Sequence, residues 1–392
     1  YNHFGPAGNY LPSYDAAYIS KTRRNDWGDA PDFALPILRR AIVENVRYWL
    51  DEFRFDGLRL DATHAIDDSS SPHLLWLIAD AAPKESGGRR LLFAEDNRND
   101  AALVTSEGLD AIWADDFHNQ LHVCLTGEQE GYYRGYRREL GDLARVINRG
   151  WLYEGQTYPP TGAARGTKSD ALSAPAFVYC LQNHDQIGNR AFGERLSSLV
   201  SPDEYRAAVT LLLFLPMTPL LFMGQEWAAS SPFLFFTDHD EELGRLVREG
   251  RREEFKAFGV FADSAARERI PDPQAIETFA SSRLRWDERT RGEHARVLEL
   301  HRALLALRAS DPVLRDADRR ALSAEIVGDV LVVRRTSSAG RRVLLVSFGE
   351  TETELSRLPL MIEAPKVLLR SDGPTEASAL TLPGHTAFVL SD

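Results

Sequence analysis

The chain has 392 residues, 27% of them charged, with a formal charge of −12 at pH 7. That length can bury a large core and hold more than one domain. The acidic balance argues against nucleic acid and anionic membrane surfaces as partners, and is compatible with a neutral polar ligand such as a sugar.

Among 46 basic residues only Lys21, Lys84, Lys168, Lys256 and Lys366 are lysine, a compositional bias rather than a site. Cys124 and Cys180 are isolated in apolar surroundings, with neither a disulfide framework nor zinc spacing, and read as buried thiols in a reducing compartment. The most apolar run, Ala207–Leu215, is too short to cross a membrane.

In chain order, Tyr1–Tyr14 and Trp27–Phe33 read as loop, rich in Gly, Pro and aromatic residues. Asp32 is placed to cap a helix from about Ala34 to Glu52, with Leu35, Leu38, Ile42, Val46, Trp49 and Leu50 on its apolar stripe. Five short strands then alternate with helices, at 55–61, 90–95, 110–115, 176–182 and 219–223. The helices are predicted at 72–82, 135–149, 203–214 and 294–309, the first with Ser71 and Pro72 as N-cap and first residue. Such alternation indicates a parallel sheet. Tyr153–Ser173 is a long insert, expected to be a functional flap. Phe233–Phe258 is a second insert, and its charged run Glu241–Phe255 predicts a helix with a solvated face or a substrate contact. From about Asp311, β runs at Val330–Arg334, Val343–Phe348, Val367–Arg370 and Ala387–Leu390 predict an all-β domain.

Three strand tips carry acids. FDGLRLD (55–61) ends at Asp61, LLFAEDN (91–97) presents Glu95 and Asp96, and FVYCLQNHDQIGN (177–189) presents His184 and Asp185. Each has a local alternative: Asp61 starting a turn, Asp96 or Asp185 capping a helix, His184 packed in a core. Three acids at one end of successive parallel strands converge where barrel active sites lie. Glycoside hydrolysis needs such a set: one carboxylate to attack the anomeric carbon, one carboxylic acid to protonate the leaving oxygen. Arg59 lies two residues before Asp61 and so on the same side of the strand, where its guanidinium keeps Asp61 ionised and oriented. Glu95 follows an apolar run, whose burial suits a general acid. No His/Cys pair with ligand spacing accompanies these acids, which disfavours a metal centre.

These motifs resemble the α-amylase superfamily, glycoside hydrolase family 13. GLRLDATH (57–64) is similar to its second conserved region, FAED (93–96) to the third, QNHDQIGN (182–189) to the fourth, and YNH (1–3) to the tail of the first. The resemblance implies Asp61 as nucleophile, Glu95 as acid/base, Asp185 as the third carboxylate that distorts the sugar ring, and Arg59, His3 and His184 as sugar contacts. It implies a (β/α)8 TIM barrel of which strands four to eight are present, at 1–310, followed by a small β-sandwich domain at 311–392. The Asp that opens the family's first region is missing, so the chain is expected to be part of a longer protein.

Within the superfamily, YNHFGPAGNYL (1–11), AEDNRND (94–100), WADDFHN (113–119) and FFTDHDEELGRLVREGRREEF (235–255) resemble the maltooligosyltrehalose trehalohydrolase family. That resemblance implies cleavage of the α-1,4 bond beside a terminal trehalose, in the cytoplasm, alongside an enzyme that forms maltooligosyltrehalose. Trp113, Asp115, Asp116, Phe117, His118, His64 and Asn97 are candidates for the acceptor side, and Gln225 and Glu226 for sugar contacts. Trp113 has core packing as its alternative, Asp115 and Asp116 capping, and Gln225 and Glu226 pairing with arginines. No cofactor and no essential metal are expected; Asn2 lies near where a family calcium ligand can fall, without an acidic cluster around it. A branching enzyme, a general α-amylase and an inactive glucan-binding protein are the rival readings.

Overall fold

The computed structural model describes residues 3–5, 9–25, 28–82, 90–258, 261, 263–362, 364–374 and 381–392. Tyr1 and Asn2 lie outside them. The chain forms two compact units, Tyr1–Asp115 with Tyr153–Val178, and Asp116–Leu152 with Tyr179–Asp392.

The first unit opens on an antiparallel pair, β1 (Ile19–Asn25) and β2 (Gly28–Pro31). The stretch Trp27–Phe33, expected as loop, contains β2. The pair rests on backbone hydrogen bonding, which side-chain patterns do not report. Helix α1 (Pro36–Arg47) buries Leu38, Ile42 and Val46. Its N-cap is Leu35, with Pro36 as first residue, and not Asp32. The Asp32 carboxylate instead accepts the N–H of Ala34 at 3.0 Å, one turn upstream. The helix widens into a π turn at Tyr48–Glu52. Wider turns rotate the following side chains, and Trp49, predicted on the buried stripe, is 37% exposed.

Strand β3 (Gly57–Leu60) follows, shorter than expected because Phe55 leaves the ladder and packs 5.7 Å from Trp49. Gly57 is needed here: a Cβ would meet the Leu91 carbonyl oxygen at 2.3 Å. Helix α2 (Leu74–Ala81) starts after the predicted Ser71–Pro72. His73 caps it, its Nδ1 accepting the Leu75 N–H at 3.2 Å, while Asp68 takes the Leu74 N–H at 2.7 Å. With two upstream side chains satisfying its first donors, the helix begins two residues late.

Strands β4 (Leu91–Ala94) and β5 (Ala111–Trp113) extend the sheet in parallel, Leu60 beside Ala94 and Ala94 beside Ile112. Helix α3 (Asp115–Thr126) begins at the end of this unit and continues in the other. The insert Tyr153–Ser173 contains a hairpin, β6 (Gln156–Tyr158) with β7 (Ala163–Arg165), where the sequence suggests only a flap. Strand β8 (Phe177–Cys180) closes the unit's sheet through Ile112 beside Phe177 and Trp113 beside Val178. Leu92, Ala94, Ile112 and Phe177 are buried at its centre, each full burial of a large apolar side chain contributing about 1.5–3 kcal/mol.

In the second unit, Asp116–Cys124 of α3 are all buried, and α4 (Leu140–Arg149) buries Leu143, Val146 and Ile147. The residues from 136 to 139 are not helical as predicted, and Gly135 ends a separate 3-10 turn, Gly131–Gly135. Tyr179 and Cys180 continue β8. Helix α5 (His184–Gly188) and the long α6 (Pro202–Phe214) come next. A reciprocal Ser201–Glu204 capping box and Pro202 at the first position start α6. Strand β9 (Thr218–Leu220) is the neighbour of β8. Helices α7 (Glu241–Glu254) and α8 (Gly292–Ser310) fall where predicted.

The β region has five main antiparallel strands, β10 (Leu322–Val327), β11 (Val330–Ser337), β12 (Gly340–Ser347), β14 (Lys366–Arg370) and β16 (Ala387–Ser391). Their order is β10-β11-β12-β16-β14, and the short pair β13 (Thr353–Glu354) and β15 (Thr381–Leu382) stands apart. Val330, Val332, Val343, Leu345, Phe388 and Leu390 form its core. β10 was not predicted; its residues alternate between buried and exposed at only the first few positions.

Candidate functional site

In the first unit, the ends of β3, β4 and β5 bring Arg59, Asp61, Glu95 and Trp113 together. Period-two alternation puts Arg59 and Asp61 on one side, and the two side chains are joined in an ion pair. The second Arg59 terminal nitrogen, Nη2, lies 3.4 Å from Glu95 Oε2. The guanidinium carbon sits 4.7 Å from the centre of the Trp113 ring, a cation–π contact. One fixed cation therefore addresses both carboxylates and rests on an aromatic face. Asp61 is 56% exposed and Glu95 21%, so Asp61 is open to an incoming molecule and Glu95 is set deeper.

The turn after Asp61 is tied to Glu95. Ala62 donates its N–H to Glu95 Oε2, and Thr63 donates its own to the Glu95 carbonyl at 2.9 Å. The Thr63 hydroxyl reaches Asp96 Oδ2 at 2.7 Å. Asp96, one of the strand-tip acids, is buried and does not face outward. Arg98 grips it through Nε at 2.9 Å and Nη2 at 2.6 Å. That hydrogen bonding raises the Arg98 pKa above the usual guanidinium value. Asp96 is thus a structural anchor. Sequence reasoning missed Ala62 and Thr63, although both stand inside GLRLDATH; a peptide N–H leaves no mark in a residue pattern.

Of the other candidates in this unit, His64 lies in the turn that follows, its Nδ1 buried without a partner among the described residues. Asn97 has an exposed side chain, and its carbonyl accepts from Arg165 Nε at 2.8 Å. His3 is half-buried beside Phe4, whose N–H donates to the Asp29 carbonyl at 2.8 Å. Asp115 opens α3 and is partly exposed.

In the second unit, Asn183 caps α5 by accepting the Asp185 N–H at 2.8 Å. His184 Nε2 and Asp185 Oδ1 are 3.5 Å apart, both about half exposed. Three predicted acceptor-side residues are instead interior. Asp116 accepts from the Tyr136 hydroxyl at 2.6 Å and the Leu152 N–H at 2.6 Å. Phe117 stacks on Tyr179 with ring centres 4.2 Å apart, and His118 Nδ1 lies 3.4 Å from Cys180 Sγ. All three are on α3, and the helix turns them into the core. Gln225 is buried in the turn after β9, its carbonyl accepting from the Tyr205 hydroxyl at 2.8 Å; Glu226 beside it is partly exposed.

Among the described residues no group of three or more His, Cys, Asp or Glu is arranged to hold a metal, and Asn2 lies outside them. Nor is any helix among them long and apolar enough to cross a membrane.

A domain family described as of unknown function, DUF3459, matches residues 319–389. Malto-oligosyltrehalose trehalohydrolase of Deinococcus radiodurans is 52% identical over 378 residues, which cover 95% of this chain and 62% of that protein. The protein of the same name from Mycobacterium tuberculosis is 36% identical over 401 residues, covering 97% of this chain and 67% of its own length. This chain belongs to the malto-oligosyltrehalose trehalohydrolase family. It spans between half and two thirds of the length of the family members it matches, 62% and 67% for these two. The crystal structure of a candidate alpha amylase from Salmonella typhimurium has a TM-score of 0.88 at 37% identity, covering all of this chain and 66% of that one. The α-amylase fold follows: part of a parallel-stranded (β/α)8 barrel, then an all-β region.

Proposed function

We propose that this family member is a retaining glycoside hydrolase that cleaves the α-1,4-glucosidic bond next to the terminal trehalose of maltooligosyltrehalose and releases free trehalose. The observation that carries the reading is the shared guanidinium: Arg59 pairs with Asp61 and stands 3.4 Å from Glu95. One guanidinium reaches two carboxylates only when they are close, which favours the retaining separation of about 5–5.5 Å over the wider inverting one.

In this reading Asp61 attacks the anomeric carbon, and the glycosidic oxygen leaves with the proton of Glu95. Trehalose departs, a glycosyl ester on Asp61 remains, and water deprotonated by Glu95 then cleaves that ester. Asp185, with His184, holds sugar hydroxyls and favours the flattened ring of the transition state. Trp113, His64, Asn97 and Asp115 are the remaining acceptor-side candidates. His3 and Glu226 are sugar contacts. Asp116, Phe117, His118 and Gln225 act by supporting the framework. The catalytic part is assigned to 1–310 and the β domain to 311–392. The reaction uses no cofactor and no essential metal. It takes place in the cytoplasm, downstream of an enzyme that makes the trehalosyl end.

A product assay tests this, with the full-length protein on maltopentaose and on the same glucan ending in trehalose. Fast trehalose release from the second, with slow cleavage of the first, is expected. Equal cleavage of both would indicate a general amylase, and new α-1,6 branches on a longer glucan a branching enzyme. Asp61→Asn and Glu95→Gln should each fold and lose turnover by orders of magnitude.

A further inference from the structure

The charged helix α7 has no part in the chemistry above, and most of its length is what a solvated helix looks like. Arg251 breaks that pattern at 8% exposure. Its Nη2 donates to the carbonyl of Gly188 at 2.9 Å and to that of Arg190 at 2.8 Å. Its guanidinium carbon lies 4.9 Å from the ring centre of Phe235 and 5.2 Å from that of Phe255. Burying a cation is costly unless its donors and faces are matched. Here two backbone carbonyls and two aromatic faces do the matching, so the position is specific in geometry.

Those carbonyls lie at and just beyond the end of α5. This helix has five residues, too few to be stable alone. Carbonyls at a helix end lack intrahelical partners, and a cation there suits the negative end of the dipole. Asp185 is the second residue of the same helix. The start of α5 is fixed by Asn183. Beyond its end, Asn189 Nδ2 reaches the Tyr132 hydroxyl at 3.1 Å, and Arg190 holds Glu128 through two bonds of 2.8 and 3.0 Å. Arg251 is the anchor supplied by the insert.

We propose that Arg251 is a positioning residue for Asp185: the insert helix holds α5 by its terminal carbonyls, so that the carboxylate at its start meets the sugar at the cleaved bond. This rests on the reading of Asp185 as the third carboxylate. A carboxylate that acts mainly on the transition state loses turnover rather than ground-state affinity when it is displaced.

A double-mutant cycle of Arg251→Met with Asp185→Asn tests it, measuring kcat, KM and thermal unfolding of the full-length protein on the trehalose-terminated glucan. Arg251→Met should lower kcat about 100-fold, the size expected of a small misplacement. Its KM should stay within about threefold. In the Asp185→Asn background the same substitution should cost less than about threefold, because the carboxylate it positions is already gone. Arg251→Lys keeps the charge without the planar fork and should restore only part of the rate; it carries the cycle where the Met variant does not fold. Equal losses in both backgrounds, or no loss from the single substitution, overturn the inference and leave the catalytic reading standing. Near-full activity of folded Asp185→Asn overturns both.

Discussion

The peptide N–H of Ala62 donates to the side-chain carboxylate of Glu95, so the turn that leaves β3 touches the acid that leaves β4. Ala62 adopts a left-handed backbone, φ 41° and ψ 53°, which costs a residue with a Cβ about 1–3 kcal/mol. The Thr63 bonds to Glu95 and Asp96 hold it there. One Glu95 oxygen is thus oriented by the residue after the proposed nucleophile.

If Glu95 delivers the proton, a substrate whose leaving group needs none should bypass it. For Glu95→Gln, kcat/KM on the trehalose-terminated glucan should fall by at least about 100-fold, within the range for lost general acid catalysis. For a maltooligosyl fluoride it should fall much less, since fluoride departs unprotonated. Parallel losses on both substrates would remove Glu95 from the acid role.

Gly57→Ala should be strongly destabilising. The added Cβ would sit 2.3 Å from the Leu91 carbonyl oxygen and 3.1 Å from Leu91 Cβ, and backbone cannot yield as a side-chain tip can. Overpacking of this kind costs about 1–3 kcal/mol or more. Urea unfolding would read the loss, and because β3 and β4 carry Asp61 and Glu95, activity should fall with it. An unchanged midpoint would contradict the close strand approach.

Both cysteines are free and buried, and burial pushes the Cys124 thiol up to about 11. Thiolate is the reactive form, so at pH 8 the folded protein should react with a thiol-specific disulfide reagent only over hours. In denaturant both thiols should react within minutes. Prompt labelling of the folded protein would show a more open second unit.

Acid should weaken the fold in two stages. Burial holds His122 and His301 below the usual imidazole value, and for His122 it outweighs the hydrogen bond to Glu128. Their unfolded forms bind protons first, so the stability they give is present above about pH 6.5 and is lost as pH falls below it. Glu128 is held well below the usual carboxylate range by His122 and then by Arg190. Its contribution is present above about pH 4.5 and declines beneath that value. The melting temperature should fall from pH 7 to 5 and again from 5 to 3. His301→Gln should flatten the first decline; an unchanged slope would assign it elsewhere.

The site was readable where the information is local. Arg59 and Asp61 are two residues apart on one strand, and the apolar run before Glu95 marks a strand end. Gly57 signals close packing by its lack of a side chain. What stayed hidden depends on distant partners. The polar residues of α3 look like a surface, yet Asp116 is satisfied by Tyr136 and Leu152. Arg251 is one of several arginines in a charged helix, and what sets it apart, the carbonyls of Gly188 and Arg190 and the rings of Phe235 and Phe255, lies outside its local sequence pattern. The late start of α2 came from Asp68 and His73, whose capping competes with the Ser-Pro signal.

Each compact unit is assembled from two separate stretches of sequence, the chain passing between them at 115–116, 152–153 and 178–179. No contiguous stretch of gene therefore encodes either one. A single recombination crossover cannot exchange one unit for a homologue's and keep the other whole. Asp61 and Glu95 fall in one unit and Asp185 in the other, so exchanging either unit would need more than one crossover and would part the three carboxylates proposed for the chemistry.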